Sequence, residues 1–108
     1  MTVYASGTKF EYLVRDYYKK NGFQVMRSAG SKGAVDLIAW NMYGDVMLIQ
    51  CKKEKKKRGL YTEDVTALQE VPAHPSWNTL LWIKTKKIVK IKDILNNTEK
   101  IKELKELR

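Results

Sequence analysis

One cysteine, Cys51, and one histidine, His74, are present in 108 residues. A lone cysteine closes no internal disulfide, and the two residues together fall short of the four ligands of a structural zinc site. Prolines number 2, and both Pro72 and Pro75 fall in one short stretch. No internal repeat interrupts the chain, and no low-complexity tract beyond one lysine run. No apolar run reaches the roughly 18 residues of a membrane helix. Met1 to Phe10 lacks the basic start and apolar middle of a signal peptide, so a cytoplasmic protein with no membrane partner is expected. Acidic residues are also scarce, 12 against 21 lysines and arginines, a formal charge of +9. That balance turns the molecule away from cationic ligands and toward polyanions. An apolar content of 44% with 31% charged residues is that of a folded chain rather than a disordered one. The length suits a single domain, residues 1–108.

Phe10, Leu13, Val14 and Tyr17 recur at the i, i+3, i+4, i+7 spacing that predicts an amphipathic helix over residues 8–20, stopped by Asn21-Gly22. Phe23 to Ser28 reads as a strand and Ala29 to Gly33 as a small-residue loop. A second strand covers Ala34 to Trp40. Asn41-Met42-Tyr43-Gly44 then turns the chain into a third strand, Asp45 to Lys53, antiparallel to the second. Thr62 is the expected N-cap of a short helix with Glu63 and Asp64 in its first turn, lined by Val65, Leu68 and Val71 and closed by Pro72. Leu80 to Lys84 and Ile88 to Ile91 read as strands, and Ile94, Ile101, Leu104 and Leu107 fit a charged C-terminal helix. This order predicts an α/β fold, a mixed sheet covered by helices.

Alternation along the strands puts Ala34, Asp36, Ile38 and Trp40 on one face of the second, and Val46, Leu48, Gln50 and Lys52 on one face of the third. Hairpin pairing then sets Asp36 beside Gln50 and Lys52. A carboxylate, an amide oxygen and a backbone carbonyl such as that of Cys51 are hard donors of the kind Mg²⁺ accepts while keeping waters for reaction. An ammonium on the same face orients a nucleophile or neutralises charge on a phosphoryl group, which are the parts that phosphodiester hydrolysis needs. Asp36 carries most weight, because aspartate is depleted in apolar strands and costly when buried unpaired. Gln50 alone reads as a polar side chain on a half-exposed strand. The Cys51 thiol, turned to the opposite face with Met47 and Ile49, reads as packing. His74 has no serine and aspartate partners for a nucleophile triad. Gly30-Ser31-Lys32-Gly33 precedes a strand instead of a helix, which excludes a nucleotide phosphate loop.

Gly7-Thr8-Lys9-Phe10-Glu11 at a helix start, Arg27-Ser28-Ala29-Gly30-Ser31 before Val35-Asp36-Leu37-Ile38-Ala39-Trp40, and Leu48-Ile49-Gln50-Cys51-Lys52-Lys53 form an ordered set. Between Tyr4 and Glu70 the chain resembles the archaeal-type Holliday-junction resolvases of the PD-(D/E)xK nuclease superfamily. The resemblance implies a restriction-endonuclease-like mixed central sheet flanked by helices. It also implies an Mg²⁺ site, with Mn²⁺ able to substitute, formed by Glu11, Asp36, Gln50 and Lys52, with the Cys51 carbonyl completing the shell. Ser31 matches a loop serine used at the family's active site. Gln50 stands where the family usually has glutamate, and nucleases of the Mrr type look similar in carrying Gln-x-Lys. A neutral oxygen holds Mg²⁺ less firmly than a carboxylate. Glu11 also has a bland reading, since Thr8 and Glu11 have the spacing of a capping box.

Lys52 to Arg58 holds six basic residues and one acid, Glu54. Placed directly after the site, the run is expected to track phosphates, with Arg27, Lys32, Lys53, Lys55, Lys56, Lys57 and Arg58 as the backbone contacts. Lysine outnumbers arginine 17 to 4, which favours point-charge contacts over bidentate reading of bases. The expected activity is therefore structure-selective, metal-dependent cleavage of branched DNA, the four-way junction, with no small-molecule substrate. Two matched cuts on a two-fold symmetric substrate imply a homodimer. The alternatives are a restriction-like or Mrr-like DNA nuclease, and a catalytically inactive basic DNA-binding module in which Gln50 marks lost catalysis.

Overall fold

A computed structural model describes residues 3–28, 33–54 and 61–107, with side chains described from Lys9 onward in the first helix. Six strands form one sheet in chain order: β1 (Gln24–Arg27), β2 (Leu37–Trp40), β3 (Val46–Lys53), β4 (Asn78–Lys84), β5 (Ile88–Asp93) and β6 (Thr98–Glu103). All neighbours are antiparallel except β3 and β4, which run parallel. A parallel pair cannot be joined by a tight turn. Helix α2 (Thr62–Gln69) makes that crossover, while α1 (Val3–Lys20) precedes the sheet.

The two helices cover opposite faces. Phe10, Val14 and Tyr18 of α1 pack on Leu37, Ala39, Ile49, Leu80, Trp82, Val89 and Ile91, together with Leu104 and Leu107 of a closing 3₁₀ turn. Leu68 of α2 packs with Tyr61, Leu81 and Ile83 on the other side. Alternate residues of β4 thus serve both cores, which is why Leu80 to Ile83 reads as an unbroken apolar run. No helix among the described residues is long and apolar enough to cross a membrane.

The β2–β3 hairpin forms as its turn residues direct. Asn41 Oδ1 accepts from the N–H groups of Tyr43 and Asp45 at 3.0 Å each, and Gly44 takes φ +86°, open to a residue without Cβ.

Four expectations give way. The chain forms β6 and the 3₁₀ turn Leu104–Leu107 where a C-terminal helix was predicted. Asn97 adopts φ 52° beside an Asp93 carboxylate that accepts from the Asn96 N–H (3.1 Å) and Asn96 Nδ2 (3.0 Å). This turn returns the chain along the free edge of β5, where ladder hydrogen bonds outweigh weak helical periodicity. Helix α1 starts at Val3, so Thr8 and Glu11 lie in its interior, where no capping box forms. Tyr61, without a side-chain cap bond, occupies the N-cap position expected of Thr62, and Val71 lies past the end of α2. β2 begins at Leu37, three residues later than expected.

Leu81, fully buried, and Ile101, 60% exposed, separate this fold from a helical C-terminus, which would bury Ile101. Leu81→Ala is expected to cost about 2–5 kcal/mol and Ile101→Thr less than about 0.5 kcal/mol, read from urea denaturation midpoints.

Candidate active site

Asp36 sits one residue before β2, where the β2–β3 register, Leu37 opposite Ile49, brings it opposite Gln50. Its N–H donates to the Ile49 carbonyl and its own carbonyl accepts from the Ser28 N–H, both at 2.8 Å. The backbone of β3 and the end of β1 hold it from two sides. Its Oδ2 accepts the Cys51 N–H at 2.9 Å. In an extended strand a residue's N–H and C=O leave on the same side, so the Cys51 carbonyl also points to the Asp36 side of β3. Burial raises the Asp36 pKa above its ordinary value of 3.8, against the bond from Cys51. The Glu11 charge pushes the same way as burial, and the charges of Lys52 and Arg27 oppose it.

Gln50 is 7% exposed, and its Oε1 is buried with no hydrogen-bond partner. Lys52 follows two residues later on the same face of β3. Its Nζ lies 3.4 Å from Oδ1 of Asp64, a buried acid in the first turn of α2. The reading of the sequence missed Asp64 as a site residue. It had a signal: Asp64 lies four residues before the buried Leu68, on the helical stripe that faces the sheet.

Glu11 approaches from α1. Its Oε1 accepts from Arg27 Nε at 2.7 Å, and the Arg27 guanidinium stands 5.3 Å from the centre of the Tyr12 ring. The hydrogen bond to Glu11 raises the Arg27 pKa further. Arg27, expected to contact a DNA phosphate, thus also pairs with Glu11. The Cys51 side chain packs against the α1-side core, and burial, with Asp36 and Glu11 adding to it, pushes its thiol well up, which keeps it protonated. Lys53 is exposed at the end of β3. Ser31, Lys32, Lys55, Lys56, Lys57 and Arg58 lie outside the described residues. His74 Nδ1 pairs with Ser76 Oγ at 2.7 Å in the loop before β4.

Among the described residues, no three His, Cys, Asp or Glu side chains gather closely enough to enclose a metal ion. The donor chemistry is mixed instead: the Asp36 oxygen left over from the Cys51 bond, the orphaned Gln50 Oε1 and the Cys51 carbonyl. All are hard oxygens, and the buried Gln50 oxygen in want of a partner fits a hydrated divalent cation.

A family model described as restriction endonuclease matches residues 4–90. The crossover junction endodeoxyribonuclease Hjc of Methanocaldococcus jannaschii is 44% identical over 66 residues, 60% of this chain and 48% of that protein. The chain thus spans about half the length of this relative. The 1.6 Å structure of Archaeoglobus fulgidus Hjc, a Holliday junction resolvase from an archaeal hyperthermophile, matches with a TM-score of 0.65 at 24% identity. The match covers 89% of this chain and 80% of that one, and is a likeness of fold.

Because the Asp36 pKa is raised on folding, the native chain binds this proton more tightly than the unfolded chain. Stability therefore falls as pH rises from the ordinary value of 3.8 through the raised one. Asp36→Asn removes that loss. In chelator at neutral pH the Asn variant is expected to show the higher urea midpoint, the two proteins converging in acid. A variant less stable at neutral pH that converges with wild type in acid would show the carboxylate to be a net stabiliser.

Proposed function

The chain belongs to the Mrr_cat restriction-endonuclease family, and on that footing we propose that it is a structure-selective, metal-dependent endonuclease that cuts four-way DNA junctions. The observation that carries this reading is the grouping of Asp36, Gln50 and Lys52 on one face of the β2–β3 pair, with the Asp36 carboxylate held by the Cys51 N–H and Gln50 Oε1 buried unpartnered. Identity of 44% to a crossover junction endodeoxyribonuclease favours a junction over plain duplex as substrate.

Asp36, Gln50 and the Cys51 carbonyl hold the ion, Mg²⁺ or in its place Mn²⁺, and Glu11 completes the set from α1. The ion supplies Lewis-acid polarisation of the phosphoryl oxygen and a more acidic bound water. Lys52 brings a positive charge to the same face, where it orients the attacking water and offsets charge building on the phosphate. Ser31 positions the DNA beside the site, and Lys32, Lys53, Lys55, Lys56, Lys57 and Arg58 take its backbone. Arg27 reaches a phosphate while sharing its charge with Glu11.

The junction's two-fold symmetry calls for two matched cuts and hence for a homodimer. Met26, Ile38 and Trp40 lie exposed on the site-bearing face of β1 and β2, and Met42 and Tyr43 at the adjoining hairpin tip. These apolar residues supply the contact between two copies.

Asp36→Asn is expected to lower junction cleavage by about 100-fold or more while junction affinity in Ca²⁺ stays within about twofold. EDTA is expected to abolish cutting and excess Mn²⁺ to restore it. Junction affinity falls with salt at a logarithmic slope of about −0.9 per phosphate contacted. Equal cleavage of duplex and junction would favour a restriction-like activity, and binding without cleavage in any metal would mark an inactive module. Sedimentation of the wild type is expected to give a dimer that Trp40→Lys splits.

A further inference from the structure

Asp64 has no part in the assignments above, yet it is the buried carboxylate nearest the Lys52 ammonium, at 3.4 Å. Its Oδ2, like Gln50 Oε1, is buried with no hydrogen-bond partner among the described residues. An acid that only favours the start of α2 does so equally well in water, as the exposed Glu63 beside it does. Burying Asp64 to 9% exposure with one oxygen unpaired costs free energy that this helical role does not explain.

Charge explains it. Asp36 and Lys52 cancel, Glu11 and Arg27 cancel as a hydrogen-bonded pair, and Gln50 is neutral. A divalent cation approaching these five groups meets no net attraction, and the ammonium repels it at close range. With Asp64 counted, the group carries one negative charge, placed against the ammonium. A carboxylate reached from the crossover helix thus supplies what the amide at position 50 lacks.

We propose that Asp64 is a positioning residue of this site: its carboxylate anchors the Lys52 ammonium and offsets its charge, so that ammonium and divalent cation are held on one face together. The inference rests on the nuclease reading and deepens it.

Mn²⁺ binding to the full-length, DNA-free chain, followed by titration calorimetry, tests it apart from activity. Asp64→Asn is expected to bind Mn²⁺ about tenfold more weakly than wild type, and Lys52→Met more tightly. The Lys52→Met, Asp64→Asn double variant, with the wild-type net charge, is expected to return close to wild-type affinity. Asp64→Asn should also cut junctions about tenfold more slowly with junction affinity kept. If Asp64→Asn does not fold, Lys52→Met alone carries the test, and unchanged Mn²⁺ affinity in it overturns the proposal. Wild-type Mn²⁺ affinity in a folded Asp64→Asn protein, alongside junction cleavage that Asp36→Asn abolishes, overturns the role of Asp64 and leaves the nuclease reading standing. A wild type that neither binds Mn²⁺ nor cuts DNA overturns both.

Discussion

The bond from the Cys51 N–H to the Asp36 carboxylate fixes the relation between two strands and, with it, everything the site contains. Side chains alternate between faces along a strand, so a slip of one residue between β2 and β3 would carry Asp36 away from Gln50 and put Leu37 and Ala39 into water. Leu37 and Ala39 are fully buried against Ile49 and the α1 core. The apolar residues on one face therefore hold the register that aligns the polar residues on the other. The carboxylate bond reinforces that register from the site side, using a backbone donor just past the last ladder pair. Packing and chemistry share a single constraint, and neither can be altered alone.

That coupling decides where positive charge can stand. Lys52 lies on the face that α2 covers, beside a helical carboxylate, whereas Lys53 points into solvent one residue later. The parity of the strand divides one lysine pair into a site residue and a surface residue. Beyond them the chain enters the crossover to β4, and the parallel β3–β4 pairing demands that crossover. A long connection at the carboxyl end of β3 is thus a requirement of topology.

What could be read from the chain follows from how local each signal is. The β2–β3 hairpin was legible because Asn41 and Gly44 specify a turn within a few residues, and the alternation of Asp36 and of Gln50 with Lys52 then placed them on faces. The stripe of Phe10, Val14 and Tyr17 announced α1, though not its start at Val3, which lies ahead of the apolar stripe. Thr98 to Glu103 was misread because its helix or strand identity depends on whether β5 has a free edge, a fact of the sheet and not of the segment. Asp64 escaped for a related reason. A first-turn acid is ordinary on a helix, and only the packing of α2 on the face of β4 that Lys52 shares brings its carboxylate to Lys52. The pairing of Arg27 was not legible, because nothing within its own strand shows that Glu11, sixteen residues earlier, stands across from it.

The free-energy costs of this small structure fall on both faces of the sheet, with Trp82 Nε1 buried without a partner in the α1-side core. The α2-covered face carries three more: the half-buried Asp36 carboxylate with its raised pKa, the unpartnered Gln50 Oε1 and the unpartnered Asp64 Oδ2. Buried polar groups left unpaired are rare in native proteins, and two of them on one face beside an acid of raised pKa mark that face as the candidate site. Position 50 sharpens the point. A glutamate there would add negative charge opposite Asp36, whose ionisation burial and Glu11 already oppose. An amide keeps the oxygen donor without that repulsion. With a neutral residue at 50, the carboxylate paired with Lys52 on this face is the one that α2 brings, Asp64.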